Sequence, residues 1–273
     1  MPSPSSTLSK LPAITFAFWV MKIAATTLGE TLGDFLSKGS EHGGINLGYL
    51  LASIIVLAIF FATLIPQLLS RRHIPFLYWS VILATSTAGT TMSDFMDRTL
   101  GLGYARGSAI LIGMLVAALV AWRLVEGSIS VSSVRSRRAE IFYWFAILCS
   151  NTLGTALGDY LADEEQGPGL GFMGGAALIG ATIAVIAAIY LVARKLKIAN
   201  AGLHVAIFWA AFVLTRPFGA TFGDVLARGS DEGGLGFGPG GSSAVLAAIL
   251  VGMILFTSRR AGGTSDAVAN TGA

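Results

Sequence analysis

Four tryptophans in this chain are each followed by a glycine ten residues on and an aspartate fifteen residues on. The sets are Trp19/Gly29/Asp34, Trp79/Gly89/Asp94, Trp144/Gly154/Asp159 and Trp209/Gly219/Asp224. Each lies in a stretch apolar enough to enter a bilayer, where one acid costs roughly 2.5–3.5 kcal/mol on insertion scales. Four acids at one register therefore point to chemistry. Carboxylate oxygens joined by hydroxyls suit a hard divalent cation such as Mg²⁺, Mn²⁺ or Ca²⁺. Glu30, one turn before Asp34, adds a fifth acid as a metal ligand or proton carrier. The competing reading has the aspartates capping loops or binding Arg98, Arg106 and Arg228, with Glu30 the partner of Arg216.

On a helix, positions +7, +11 and +15 after each tryptophan share one narrow stripe. The stripes are Thr26, Glu30, Asp34; Ser86, Thr90, Asp94; Asn151, Thr155, Asp159; and Arg216, Ala220, Asp224. Thr26, Ser86, Thr90, Asn151, Thr155 and Arg216 would line a substrate pathway. Beside the stripe runs a ridge of small residues, Gly29 and Gly33, Gly89 and Ser93, Gly154 and Gly158, Gly219 and Gly223. Such a ridge lets helix backbones approach closely and would gather the polar stripes about a common axis. The +7 level falls near mid-bilayer and the aspartates about 12 Å further along, at 1.5 Å per residue. Arg216 is then a counter-charge for an empty acidic site, an anion contact, or a charge that locks the bundle. Pro217 after it is expected to kink its helix and free a carbonyl. Lys22 can snorkel toward the nearer surface, and the tryptophans suit an interfacial belt.

The elements that must carry these residues are membrane helices. The chain is 54% hydrophobic and only 12% charged, with a mean hydropathy of +0.73, which excludes a soluble domain. Apolar runs at about 14–37, 47–69, 75–97, 106–125, 140–163, 174–194, 203–227 and 243–258 reach span length. No ten-residue alternation marks barrel strands. The fold class is all-α: a polytopic membrane protein of eight transmembrane helices, arranged as four helical hairpins in parallel repeat. The repeats are 14–70, 75–125, 140–196 and 203–260, in one membrane domain over 1–260 with a disordered tail at 261–273. The second helix of each hairpin is almost purely apolar and suits lipid. The first carries the polar stripe, so the four first helices form an inner bundle. Leu47-Gly48-Tyr49, Leu102-Gly103-Tyr104, Leu170-Gly171-Phe172 and Leu235-Gly236-Phe237 mark the turns between them.

Basic residues on one side include Lys10, Arg71, Arg72, Arg123, Arg135, Arg137, Arg138, Arg194, Lys195, Lys197, Arg259 and Arg260. The other side has only Lys38, Arg98, Arg106 and Arg228. The positive-inside rule then puts both termini in the cytoplasm. The lone Cys149 excludes an intramolecular disulfide or cysteine metal cluster and reads as a small buried apolar residue. His42, His73 and His204 share no face. No nucleophile–base pair, metalloprotease helix or phosphate loop appears, so neither an enzyme, a resident cofactor nor a nucleic-acid partner is expected. The oligomeric state is left open.

The Trp-x9-Gly-x4-Asp repeat is clearest at Thr26-Thr27-Leu28-Gly29-Glu30-Thr31-Leu32-Gly33-Asp34. It resembles a bacterial family of uncharacterised, repeat-containing membrane-anchored proteins, across residues 14–258. The resemblance implies a multi-span tandem fold and no particular activity. A fainter similarity is to calcium/manganese–proton exchangers built on Glu-x-Gly-Asp. Here one extra residue separates Glu30 from Gly33-Asp34, Phe35-Leu36 follows, and one repeat of four has the acid pair. The expectation is secondary transport or efflux of a divalent cation, Mn²⁺ first, coupled to protons. Asp34, Asp94, Asp159, Asp224 and Glu30 would bind it. The alternatives are a non-transporting scaffold or sensor and a small organic anion transporter using Arg216 and Lys22.

Overall fold

A computed structural model describes residues 11–131, 134–196 and 201–270. Lys10, Lys197 and the last three residues of the expected tail lie outside them. The long elements are eight α-helices: α1 (Phe16–Ser37), α2 (Tyr49–Leu69), α3 (Pro75–Asp94), α4 (Tyr104–Glu126), α5 (Arg137–Ala162), α6 (Gly171–Lys195), α7 (Ala201–Ala227) and α8 (Gly238–Asn270). Local signals start several of them. Thr15 accepts a hydrogen bond from the Phe18 amide, Ser136 from that of Ala139, and Pro75 opens α3. Gly48, Gly103, Gly171 and Gly236 have φ between 64° and 74°, the left-handed backbone that the turns ahead of the second helices require.

Six of the eight, all but α1 and α3, are long and apolar enough to cross a membrane. The expected count of eight is thus met in helices but not in apolarity. Glu30, Asp34 and Lys22 in α1, and the run of Thr and Ser in α3, lower their hydropathy. These side chains are buried inside the molecule and do not face the bilayer. The second helices are the reverse: Leu50, Ile54, Phe61 and Ile65 of α2, or Val245, Ile249 and Phe256 of α8, are exposed. Lipid is the solvent such a surface suits.

The inner bundle is a closed ring, α1 against α3, α3 against α5, α5 against α7, and α7 back against α1. Glycines set the spacing. Gly29 faces Ser86, Gly89 faces Asn151 and Thr152, Gly154 faces Arg216 and Pro217, and Gly219 faces Thr26 and Thr27. The +10 glycine of every repeat therefore meets the +7 or +8 residue of the next, the fourth closing on the first. This is pseudo-fourfold symmetry about an axis along the bundle. The outer ring follows the same rule. Each second helix packs chiefly on the following repeat: α2 on α3, α4 on α5, α6 on α7, and α8 on α1. The hairpins are interlocked and do not stand as four separate pairs.

Helix α8 extends through the expected tail as far as Asn270, and helix α7 includes Pro217 within one element.

The glycine contacts generate a prediction. A methyl at Gly89 would stand 2.7 Å from the Asn151 backbone carbon, whereas one at Gly113 meets nothing within 4 Å. Gly89→Ala should cost about 1–3 kcal/mol through overpacking, seen as a lower melting temperature in detergent. Gly113→Ala should melt like the parent. Equal melting of both would remove the glycines from ring assembly.

Candidate functional site

The register set by the tryptophans stacks the axis in levels. At the end nearer the termini stands an aromatic layer made of Phe18, Tyr78, Tyr143 and Phe208 with Trp79, Trp144 and Trp209. The Tyr78 and Tyr143 hydroxyls are 2.7 Å apart, and Trp209 donates through Nε1 to the Ile129 carbonyl at 3.0 Å. Trp79, Trp144 and Trp209 are buried and only Trp19 is partly open. The expected interfacial belt is therefore an internal aromatic seal. The inward-facing first helices take the rings with them.

Lys22 lies one level further in. It is fully buried, not snorkelled, with Nζ 4.2 Å from the centre of the Phe212 ring. Its level is otherwise apolar, with Ile82, Ile147 and Phe212 buried around it at the same register. Cys149 is buried, as its type suggested.

At mid-depth the stripes converge. Arg216 donates from Nη1 to Glu30 Oε2 at 2.9 Å, and from Nη2 to Thr90 Oγ1 at 2.6 Å and Thr155 Oγ1 at 2.7 Å. It also reaches the Ser86 carbonyl at 3.2 Å. Thr90 and Thr155 each place their hydroxyl 3.2 Å from the same Glu30 oxygen. Four helices thus supply one network, and Arg216 and Glu30 are essentially without solvent contact. The fourth repeat has only Ala220 where the others carry Glu30, Thr90 and Thr155. Arg216 is the residue through which that repeat joins them. Of the remaining pathway residues, Thr26 bonds the Thr215 carbonyl at 3.2 Å. Asn151 donates to Thr85 at 3.0 Å, away from Arg216.

The aspartate level comes next, and all four residues are buried at 2–6% exposure. Each is held by a base. Lys38 binds Asp34 at 2.6 Å, Arg98 binds Asp94 at 2.8 Å and Asp159 at 3.2 Å, and Arg228 binds Asp224 at 2.8 Å. Three of these pairs are i,i+4 along the chain. The third repeat has Asp163 where the others have a base, so Asp159 borrows Arg98 from the second repeat. Asp163 instead accepts from the Glu165 and Gln166 amides, at 2.9 and 2.7 Å. Burial opposes the cationic forms of Lys38, Arg98 and Arg228, but the facing carboxylates outweigh it and raise all three pKa values. These groups stay charged at any ordinary pH.

The structure brings the five predicted acids to one axis but not into one ligand shell. Among the described residues, no three or more His, Cys, Asp or Glu side chains are grouped to hold a metal ion. The reason is geometric: Glu30 lies a turn away from the aspartates, and Lys and Arg occupy the carboxylates. Arg106, an expected partner, is exposed, and Lys38 takes that role. The signal overlooked was the acid-to-base i,i+4 spacing in Asp34/Lys38, Asp94/Arg98 and Asp224/Arg228.

Four segments of the chain, 17–73, 77–128, 142–195 and 207–262, match the family described as Repeat of Unknown Function (DUF347). The chain belongs to this family. Its repeats coincide with the four hairpins, so each matched segment contributes one inner helix and one outer helix to the DUF347 ring. Neither a curated protein nor a solved structure matches the chain.

The mid-depth network yields a stability prediction. Removing one member of a buried pair strands the other, at about 3–5 kcal/mol. Glu30→Gln and Arg216→Gln should each lower the melting temperature sharply, and the double variant should fall by much less than their sum. Additive losses would mean that the two side chains do not depend on each other.

Proposed function

We propose that this DUF347 protein is a secondary transporter for a divalent cation, with Mn²⁺ the first candidate, working in exchange for protons. In this reading all eight helices span a bacterial inner membrane, with both termini cytoplasmic and the turns between paired helices outside. One observation carries the proposal. Glu30, Asp34, Asp94, Asp159 and Asp224 form a buried axial series in which Lys38, Arg98, Arg216 and Arg228 are the resident cations.

Buried ion pairs are poor devices for stability, because apolar residues of similar size hold helices together at least as well. Their value here is exchange. A carboxylate that holds a tethered ammonium or guanidinium can hand it off to a mobile cation with little change in local net charge. A cation arriving from the turn end would displace Lys38 and Arg228 from Asp34 and Asp224. It would then meet Asp94 and Asp159, whose shared Arg98 can swing toward the half-open rim, being 34% exposed. Arg216 bound to Glu30 separates these acids from the aromatic layer, which closes the opposite end. The distant likeness of residues 30–34 to calcium/manganese–proton exchangers favours the same direction.

A second reading, a scaffold whose charges only register the helices, is favoured by the base partner that every axial aspartate has. Uptake of radioactive Mn²⁺ into proteoliposomes separates the two. The transporter reading expects saturable uptake driven by a pH gradient, reduced at least tenfold in Asp94→Asn and in Glu30→Gln protein that still inserts and folds. Wild-type protein that moves no Mn²⁺, Ca²⁺ or Mg²⁺, and whose melting no cation shifts, is a scaffold.

A further inference from the structure

The end of the bundle nearer the termini is rich in arginine, and the arginines are not spread evenly around it. Arg71 and Arg72 follow α2, Arg123 sits in the last turn of α4, and Arg135, Arg137 and Arg138 lead into α5. They belong to three stretches of sequence, and two hydrogen bonds bring those stretches to one corner. Gln67, one turn before Arg71, donates from Nε2 at 3.0 Å to Oε1 of Glu140, one turn after Arg137. Ser136 donates to Glu126 Oε2 at 3.0 Å, which ties the end of α4 to the start of α5. The corner exists because the hairpins interlock: α2 packs on α3 and also touches α5.

All six arginines are exposed, and among the described residues none of them is in an ion pair. The acids of these stretches are Glu126, which holds Ser136, and Glu140, which is 1% exposed. Six fixed positive charges thus share two carboxylates, one of them buried. Arg137 and Arg138 also open α5 at the end where the helix dipole disfavours cations. Such groups repel one another, and an anion between them removes that cost.

The neighbouring surface favours one kind of anion. Leu69 of α2, Leu124 of α4 and Ile141 of α5 are 54–80% exposed, each within three residues of one of these arginines. A soluble anion uses the guanidinium groups alone. A phospholipid uses both surfaces, its phosphate on the arginines and its chains on the apolar side chains. Arginine suits the task, because its planar fork matches phosphate oxygens in pairs.

We propose that this corner binds the headgroup of an anionic phospholipid, such as phosphatidylglycerol, in the leaflet at the terminal end. The phosphate takes its hydrogen bonds from the arginines after α2 and before α5, and so fastens the first hairpin to the third repeat. Among the described residues the rest of this end offers Arg194 and Lys195 of α6 and Arg259 of α8, a smaller set. The inference holds for a transporter and for a scaffold alike.

Native mass spectrometry of the full chain in detergent tests it, by titration with phosphatidylglycerol or phosphatidylcholine carrying the same acyl chains. Wild-type protein should bind phosphatidylglycerol about tenfold more tightly, as expected for a few arginine contacts to an anionic headgroup. Combining Arg71→Gln, Arg72→Gln, Arg137→Gln and Arg138→Gln should erase the preference while the melting temperature in phosphatidylcholine stays at the parent value. Arg71→Gln with Arg72→Gln alone should lose part of it, which keeps the test intact if four changes are not tolerated. Arg194→Gln, Lys195→Gln and Arg259→Gln together should keep the preference. A wild type that does not distinguish the two lipids, a preference that survives the four changes, or an equal loss in the control overturns the site. Displacement of the lipid by inorganic phosphate would make it a soluble-anion site and overturn the lipid.

Discussion

A guanidinium and a carboxylate meet in the middle of an otherwise apolar bundle, and the architecture can be read outward from that meeting. Arg216 on the last repeat and Glu30 on the first lie 186 residues apart along the chain and 2.9 Å apart in space. Neither could be buried alone at tolerable cost. Hydroxyls from the two intervening repeats complete the set, so Thr90 and Thr155 bond to both members of the pair. One interaction thus involves all four inner helices and demands that they surround it.

The demand is met by small residues. Glycine at +10 brings each inner helix against its neighbour closely enough for short side chains such as Thr90 and Thr155 to reach the axis. Outer helices that cross to the next repeat tie the ring from outside, and α8 closes it on α1 through Ser243 and Thr31 at 2.8 Å. The frame is repeated fourfold, yet the charges on it are not. Only the first repeat has a glutamate at mid-depth, only the fourth has an arginine, and the third lacks a base beyond its aspartate. Under the proposed transporter reading, this asymmetric set of charges on a symmetric frame would give an ion's path a direction.

Much of this was legible in the residues before any coordinates. The Trp-Gly-Asp register gave four repeats, eight helices, an inner and an outer set, and the stripe on which Glu30, Thr90, Thr155 and Arg216 converge, because helical periodicity alone decides which positions share a face. The pairing of Glu30 with Arg216, and of aspartates with Arg98 and Arg228, stood among the competing readings; what escaped was Lys38 and which base serves which aspartate. Periodicity places Asp159 on the axis but says nothing of a base arriving from the second repeat, and Arg98 comes across a turn whose π-helical form no local signal announced. Lys22 was expected to reach water because long amines can. The aromatic layer built by the neighbouring repeats encloses it instead, and that enclosure is a property of the assembled ring. The outer helices likewise read as hairpin partners, and only three-dimensional crossing assigns each to the following repeat.

The whole account depends on the fourth repeat closing onto the first, since Glu30 and Arg216 meet only across that closure. Cysteines at Thr31 and Ser243, in a chain whose Cys149 is replaced by serine, report on it directly. The two native hydroxyls are 2.8 Å apart, so thiols placed there start within reach of each other. After mild oxidation and cleavage of the loop between α4 and α5, a closed ring leaves the two fragments joined until a reductant is added. Fragments that separate under oxidising conditions, with both thiols still free, would show that the ring is open and that the axial charges have no common site.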